Sequence, residues 1–153
     1  MPNCLKCVLF ILFSGITSNV LANDDRSKIR LTVKNYIDAQ INVEPDLMRR
    51  ALHPQMKKRT YWLDKNDQEF VMETSIETML HVAATYNQSG DRFVKKPKIK
   101  IDIYDIDQRV ASVKLTVDDW VDYMHLVKNK TGEWQIINVL WQYHETEKHR
   151  SKQ

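Results

Sequence analysis

Two side chains in this sequence could move a proton: the imidazole of His53 and the carboxylate of Asp122. An imidazole titrates near neutral pH, and apolar surroundings raise the pKa of a carboxyl group, so both are candidate catalytic residues. Structural roles are the alternatives: His53 ends a helical pattern, and Asp122 can pair with a basic residue of a neighbouring strand. Asp122 and His125 are three positions apart on one strand, so alternation points them to opposite faces and they form no acid–base pair.

Aromatic and amide side chains supply the other candidates for a binding pocket. Aromatic rings offer a large contact area, and tyrosine and tryptophan add one polar group, so they can hold a planar ligand. Ordinary core packing is the alternative role for each of them. Together with His53 and Asp122, the predicted pocket residues are Tyr36, Tyr61, Trp62, Tyr123, Asn138 and Trp141.

Several other chemistries find no support in the sequence. The five histidines show no metal-ligand spacing and no H-E-x-x-H motif occurs, so we predict no metal site. The chain has only three glycines and no glycine-rich phosphate loop, and we predict no cofactor.

The charge balance argues against a nucleic-acid-binding protein. The chain has 23 basic and 20 acidic residues, a formal net charge of +3, far from the strongly basic composition of such domains. Basic residues do cluster locally, which indicates either solvated faces or contact with an anionic ligand or surface. The clusters are Arg49-Arg50, Lys57-Lys58-Arg59 and Lys95-Lys96-Lys98.

Residues 1–22 have the layout of a secretory signal peptide. Lys6 precedes the apolar run Val8–Ile16, and small or apolar residues up to Ala22 precede a polar segment. The run is too short to span a bilayer, which needs about 20 residues. We predict cleavage after Ala22, export to the periplasm or the medium, and no stable membrane anchor afterwards. An uncleaved N-terminal anchor is the alternative.

The apolar period changes from that of helices to that of strands along the chain, which predicts the α+β class. Two short strands lie between the second and third helices, and four strands joined by short turns follow the third helix. We therefore expect a curved antiparallel sheet with the helices on one face. The predicted helices are Ile29–Ile41, one that begins near Pro45 and stops by His53, and one that begins at the capping box of Thr74 and ends before Asn87. The predicted strands are Met56–Leu63, Glu69–Met72, residues 99–103, residues 111–117 and the hairpin Asp119–Tyr143.

The domain is predicted to cover residues 23–144, and the charged tail 145–153 to fray. Both faces of the last strand are rich in apolar groups, so one should meet the core and the other a second subunit or an extra covering element. Of these two we predict a homodimer. Strict alternation assigns Trp134, Ile136, Asn138 and Leu140 to one face and Ile137, Val139, Trp141 and Tyr143 to the other.

Short motifs in this order also carry a family resemblance over Ile29–Trp141. They are Tyr36-Ile37-Asp38, Leu52-His53-Pro54, and in the hairpin Asp122-Tyr123, Leu126, Lys128, Gly132, Trp134, Ile136, Asn138 and Trp141. The chain resembles the nuclear transport factor 2-like superfamily, with its SnoaL-like cyclases, ketosteroid isomerase and scytalone dehydratase, and is most similar to its putative lumazine-binding branch. The resemblance implies a cone-shaped fold, a pocket between the helices and the concave sheet face, and a dimer on the other face.

Two functions are compatible with these residues. One is an exported protein that binds a small hydrophobic or planar ligand in an aromatic cavity. The other is a cofactor-free isomerase, dehydratase or cyclase that uses His53 or Asp122 for proton transfer, with Tyr36 or Asn138 holding an oxyanion. The sequence shows no matched acid–base pair at facing positions, which favours binding.

Overall fold

The computed structural model describes residues 15–151, with side chains from Asp24 onward. The predicted signal peptide, residues 1–22, therefore lies outside the part whose side chains are described. The described elements are helices α1 (Gly15–Asn42), α2 (Pro45–Ala51) and α3 (Ile76–Thr85), and strands β1 (Leu52–Leu63), β2 (Glu69–Ser75), β3 (Lys100–Asp107), β4 (Val110–Thr116), β5 (Trp120–Lys128) and β6 (Trp134–Tyr143). No helix within the described residues is long and apolar enough to cross a membrane.

The three helices follow the predicted periodicity, but α1 begins at Gly15, well before the predicted start at Ile29. On α1, Ile29, Val33 and Ile37 form a fully buried stripe. Helix α2 begins at Pro45, whose fixed φ suits the first turn, and it ends before His53 as predicted. The cap of α3 is one residue later than the predicted Thr74: the side chain of Ser75 accepts from the N–H of Thr78 over 3.4 Å.

The described strands form one sheet in the order β2-β1-β6-β5-β4-β3. Strands β3 to β6 form the predicted antiparallel meander, and β1 and β2 form an antiparallel hairpin. Strand β1 runs parallel to β6, so the prediction of a wholly antiparallel sheet is wrong at this one junction. The apolar period of a strand does not reveal the direction of a partner far away in sequence. The α+β class, with three helices and a curved sheet, is confirmed.

A β-bulge at Ile137 decides which residues of β6 face the helices. The pairing of β5 with β6 shifts between His125 and Leu126, which leaves Ile137 without a partner. As a result Ile136 and Val139, three positions apart, are both fully buried. The predicted strict alternation is wrong beyond Ile137 because a bulge adds one residue to one strand and bends it.

Residues 145–151 pack against the end of the sheet, although the sequence predicts a frayed tail. Thr146–Lys148 form a single 3-10 turn, and the following His149 is only 5% exposed. The N–H of Leu63 donates to the carbonyl of His149, and the carbonyl of Leu63 accepts from the N–H of Ser151, both over 2.9 Å. The prediction is wrong over these residues because a single buried side chain anchors them, and one anchor leaves no apolar period.

Candidate functional site

Lys58 and Asp122 form a buried ion pair between the helices and the sheet. Nζ of Lys58 donates to Oδ1 of Asp122 over 2.8 Å, and the two side chains are 10% and 0% exposed. The same ammonium donates to Oη of Tyr36 on α1 over 2.8 Å. The second carboxylate oxygen, Oδ2, accepts from Nε1 of Trp120 over 3.1 Å. Each carboxylate oxygen therefore has a donor, which is the condition for burying a charge without a large penalty.

Strand alternation explains why Lys58 points inward while the rest of its basic run does not. The residues two positions away on either side of Lys58 are also buried. Lys57 and Arg59 project from the opposite face, where they pair with Glu73 of β2 over 2.7 and 3.0 Å. The run looks like one solvated cluster in the sequence, but its central residue belongs to the core.

Burial and charge together set the protonation states around the carboxylate. Burial and the charge of Asp122 raise the pKa of Tyr36 to about 12. Burial alone would lower the pKa of Lys58, but the carboxylate of Asp122 outweighs this effect and raises it. At neutral pH the tyrosine is uncharged and the lysine is charged, so neither can accept a proton as a general base.

A cavity of about 200 Å³ lies beside this cluster, between α3 and the inner face of the sheet. Lys58 forms part of its wall, and Nζ of Lys58 lies 4.9 Å from the centre of the Trp141 ring. The cavity thus combines aromatic surface with one fixed cation. Its remaining lining includes the rings of Tyr86, Trp120, Trp141 and Tyr143 and the polar side chains of Gln40, Thr74 and Thr78.

One of the predicted pocket residues lines this cavity, and two more hold the lysine that forms part of its wall. Tyr36 and Asp122 hold the ammonium of Lys58, and Trp141 forms a wall. A fourth, Trp62, packs against Trp141 with ring centres 6.3 Å apart. Asp122 is fully buried whereas His125 is exposed, in agreement with the predicted opposite faces.

The other predicted residues lie elsewhere. Tyr123 is 45% exposed on the outer face of β5, the face turned away from the helices. Asn138 projects from the outer face of β6 because of the bulge, and its Oδ1 accepts from Arg59 over 3.2 Å. His53 lies at the start of β1, where Nδ1 accepts from the N–H of Gln55 over 3.1 Å. None of these three side chains lines the cavity.

His149 has no site signal in the sequence, yet it lies at the centre of an aromatic cluster. Its ring centre lies 5.4 Å from those of Trp62 and Trp141 and 5.3 Å from that of Tyr143. Nε2 accepts from the N–H of Tyr143 over 2.7 Å, and Nδ1 lies 3.1 Å from the carbonyl oxygen of Tyr61. His149 and Trp141 also line a second cavity, of about 430 Å³, which reaches the outer face of the sheet.

Two further features bear on the chemistry of the site. Among the described residues, no group of three or more histidine, cysteine, aspartate or glutamate side chains could hold a metal ion. Over the same part of the chain, Nε1 of Trp141 is the one buried side-chain polar atom without a hydrogen-bond partner. Apart from the paired ammonium of Lys58, the polar side chains that line the cavity are uncharged.

One known family matches most of this chain. Residues 24–142 match the family model described as "Putative lumazine-binding". The chain belongs to this family. The matched range contains the ion pair, strands β1 to β5, β6 up to Gln142, and the cavity lining apart from Tyr143. No curated protein matches the sequence.

Solved structures of nuclear transport factor 2-like proteins are similar to this member of the family. A protein of unknown function from Silicibacter pomeroyi DSS-3 has a TM-score of 0.61 and 10% identity, over 80% of this chain and 98% of that one. One from Shewanella baltica OS155 has a TM-score of 0.59 and 20% identity, over 79% and 94%. A ketosteroid isomerase-like protein from Erwinia carotovora atroseptica SCRI1043 has a TM-score of 0.52 and 13% identity, over 80% and 98%. These similarities confirm the predicted fold.

Proposed function

We propose that this protein is exported and binds a small planar molecule in the cavity of about 200 Å³ without transforming it. The aromatic wall around a fixed cation is the observation that carries the proposal. Trp120, Trp141 and Tyr143 provide flat apolar surface, and Lys58 is held in place by Asp122. Rings bind planar ligands through contact area, and an ammonium donates to an oxygen or nitrogen acceptor. The family description, which names a fused-ring heterocycle with carbonyl groups, supports a ligand of this kind.

The size of the cavity limits the ligand. Drug-sized molecules occupy pockets of about 300–1,000 Å³, so a cavity of about 200 Å³ suits one or two fused rings with few substituents. The ion pair beside it is neutral as a unit, since one cation and one anion are 2.8 Å apart. An uncharged acceptor such as a carbonyl group fits this site better than a second charge, because no opposite charge is left over to compensate it.

The positions of the two candidate bases argue against the alternative of a cofactor-free isomerase, dehydratase or cyclase. General base catalysis needs an unpaired acceptor within hydrogen-bond reach of the substrate. Both oxygens of Asp122 already accept hydrogen bonds, from Lys58 and Trp120, and the residue is fully buried behind the cavity wall. His53, the other candidate base, does not line the cavity. These positions favour binding over turnover.

Export is the second part of the proposal. The match to the family begins at residue 24, directly after the predicted cleavage point at Ala22, so removal of the leader would leave the family domain whole. The expected mature protein begins at Asn23 and contains no cysteine. Intact-mass spectrometry of the protein recovered from the periplasm or the medium tests this directly. Recovery of uncleaved chain from the membrane fraction alone would count against it.

Binding can be tested by thermal shift, because a ligand that binds the native state raises its unfolding temperature by mass action. The screen should contain lumazine, other fused-ring carbonyl heterocycles and lipid-like metabolites. Tyr86→Ala removes one ring from the cavity wall, whereas Tyr104→Ala removes a tyrosine that is 59% exposed on β3. We expect a compound that stabilises the native protein and Y104A but has a smaller effect on Y86A.

Two results would overturn the proposal. One is an equal rise in the unfolding temperature of Y86A and Y104A when the ligand is added, which would place the ligand outside this cavity. The other is conversion of the bound compound to a product, followed by chromatography, at a rate that depends on the native cavity. The second result would support the enzymatic alternative instead.

A further inference from the structure

The segment Asp91–Ile99, here called the basic loop, joins α3 to β3 and concentrates positive charge. It contains four basic residues and a single acidic one. All four basic side chains are exposed. Arg92 lies near Asp91 at 3.9 Å, while Lys95, Lys96 and Lys98 form no ion pair with any described residue. A carboxylate contact is made by Asp118, whose Oδ1 accepts from the backbone N–H of Lys98 over 3.0 Å. The loop therefore presents three exposed lysines that have no ion-pair partner in the described part of the chain.

Apolar side chains on the same loop point in two directions. Phe93 turns toward the protein, where its ring centre lies 5.8 Å from that of Trp120 and 5.9 Å from that of Tyr86. Val94 turns away and is 61% exposed, and Ile99 at the end of the loop is 38% exposed. Phe93 thus anchors the loop, and the anchored loop holds an apolar residue outward between its cations.

We infer that the basic loop docks on an anionic lipid bilayer. Acidic headgroups attract lysines close to the surface, and an apolar side chain between them can enter the boundary of headgroups and acyl chains. A dissolved anion would satisfy the lysines but would leave Val94 in water, so the combination of charge and exposed apolar surface matches a bilayer. The proposed contact is made by an exposed surface loop and is therefore peripheral.

The docking site lies at the rim of the cavity. Tyr86 and Trp120, the two rings on which Phe93 packs, both line the cavity of about 200 Å³. A docked loop would therefore bring the rim of the cavity to the bilayer surface. This inference does not depend on what the cavity binds, because it rests on the loop alone.

Flotation with lipid vesicles tests the inference. Protein expressed from residues 1–153 is mixed with vesicles of phosphatidylcholine alone or with added phosphatidylglycerol, at low and at physiological salt. We expect binding to the anionic vesicles that weakens as salt rises, and no binding to the neutral ones. Each lysine near an anionic surface contributes about fivefold to the partition coefficient, so K95Q/K96Q should bind about 25-fold more weakly.

Two variants separate the loop from net charge and from anion binding. K65Q/K130Q removes two exposed lysines from the turns after β1 and β5, the same change in net charge, and should float like the native protein. V94S keeps every charge and should weaken binding by roughly threefold or more, since the apolar contact is lost. An effect of K65Q/K130Q equal to that of K95Q/K96Q overturns the inference, as does unchanged flotation of K95Q/K96Q. If V94S binds normally and inorganic phosphate competes, the loop is an anion site and the bilayer is excluded.

Discussion

The ammonium of Lys58 reaches across a whole strand to the carboxylate of Asp122. Lys58 lies on β1 and Asp122 on β5, and β6 runs between them. The lysine passes the ring of Trp141 on β6, with Nζ 4.9 Å from the ring centre, before it meets Oδ1 of Asp122 over 2.8 Å. Its additional bond to Tyr36 joins α1 to these three strands. The ion pair therefore ties the helical layer to the centre of the sheet.

Removal of one partner of this pair should be costly. Lys58→Met leaves the carboxylate of Asp122 buried without its cation, and breaking a buried pair in this way costs about 3–5 kcal/mol of the free energy of unfolding. Urea denaturation of the two proteins at neutral pH measures the difference. The matched control is Lys57→Met. The adjacent Lys57 pairs with Glu73 on the exposed outer face, so its removal should lower the free energy of unfolding far less. Equal losses in the two variants would mean that the buried pair is not closed in solution.

Acid should weaken the attachment of the tail through His149. Because Nε2 accepts from the N–H of Tyr143, the proton of the neutral ring is on Nδ1, which donates to the carbonyl of Tyr61. Burial lowers the pKa of His149 below its ordinary value of 6.5, although the carbonyl of Tyr61 acts in the opposite direction. As pH falls, the unfolded chain takes up the proton first. The contribution of His149 to stability is therefore complete above about 6.5 and is lost as pH falls through the lower folded pKa.

The measurement is the free energy of unfolding from pH 7.5 down to pH 5 in the native protein and in His149→Gln. We expect H149Q to be less stable at pH 7.5 and to lose less stability on acidification. His81→Gln changes an exposed histidine on α3, and its free energy of unfolding should depend on pH as steeply as that of the native protein. A native slope that survives in H149Q would assign the acid sensitivity to another group.

The outer face of β1, β2 and β6 should form the contact between two copies of the chain. Tyr61, Val71 and Leu140 are 54%, 66% and 52% exposed there, and an exposed apolar patch of this kind is typical of an interface. We expect a homodimer in light scattering at micromolar concentrations, and a monomer after Leu140→Glu. Leu31→Glu places the same charge at a residue that is 57% exposed on α1 and should leave the dimer intact. A native monomer, or dissociation by both variants, would contradict this assignment of the interface.

Local sequence patterns predict which side chains are buried wherever a whole element keeps one period, that of a strand or that of a helix. Alternation along β5 separates Asp122 from His125 correctly, and the buried stripe of α1 follows the helical period. The same alternation fails in β6, because the bulge at Ile137 depends on the partner strand and leaves no mark on the sequence. The sequence therefore predicts Asn138 in the pocket, whereas the bulge places it on the outer face.

Two residues of the site show different limits of prediction. Lys58 could have been found, since it occupies the position two residues after Met56 in a predicted strand and so shares its buried face. Its basic neighbours on both sides concealed it. His149 could not have been found, because it lies in a charged segment without an apolar period and its contacts, to Tyr61 and Trp62, are formed over more than 80 residues of sequence.

Asp25 should be the first residue after the predicted cleavage point that stabilises the domain. Its Oδ2 accepts from Nζ of Lys128 over 2.8 Å and its Oδ1 from Nε1 of Trp134 over 2.9 Å, which joins the start of the domain to the β5–β6 hairpin. Partial burial acts to raise the pKa of Asp25, but these two hydrogen bonds outweigh it and lower the pKa.

Asp25→Asn removes the charge and keeps the shape, so we expect a loss of about 1–2 kcal/mol in the free energy of unfolding. Since the folded pKa is lowered from 3.8, the difference from the native protein should be complete above about pH 4 and should disappear as pH falls further. Asp24→Asn is the matched control. Asp24 pairs with Lys28 at the surface, where both side chains are about half exposed, so we expect little change in the free energy of unfolding. Urea denaturation across this pH range compares the three proteins. If D25N and D24N behave alike, the contact of Asp25 with the hairpin is not maintained in solution, and the stable domain begins later in α1.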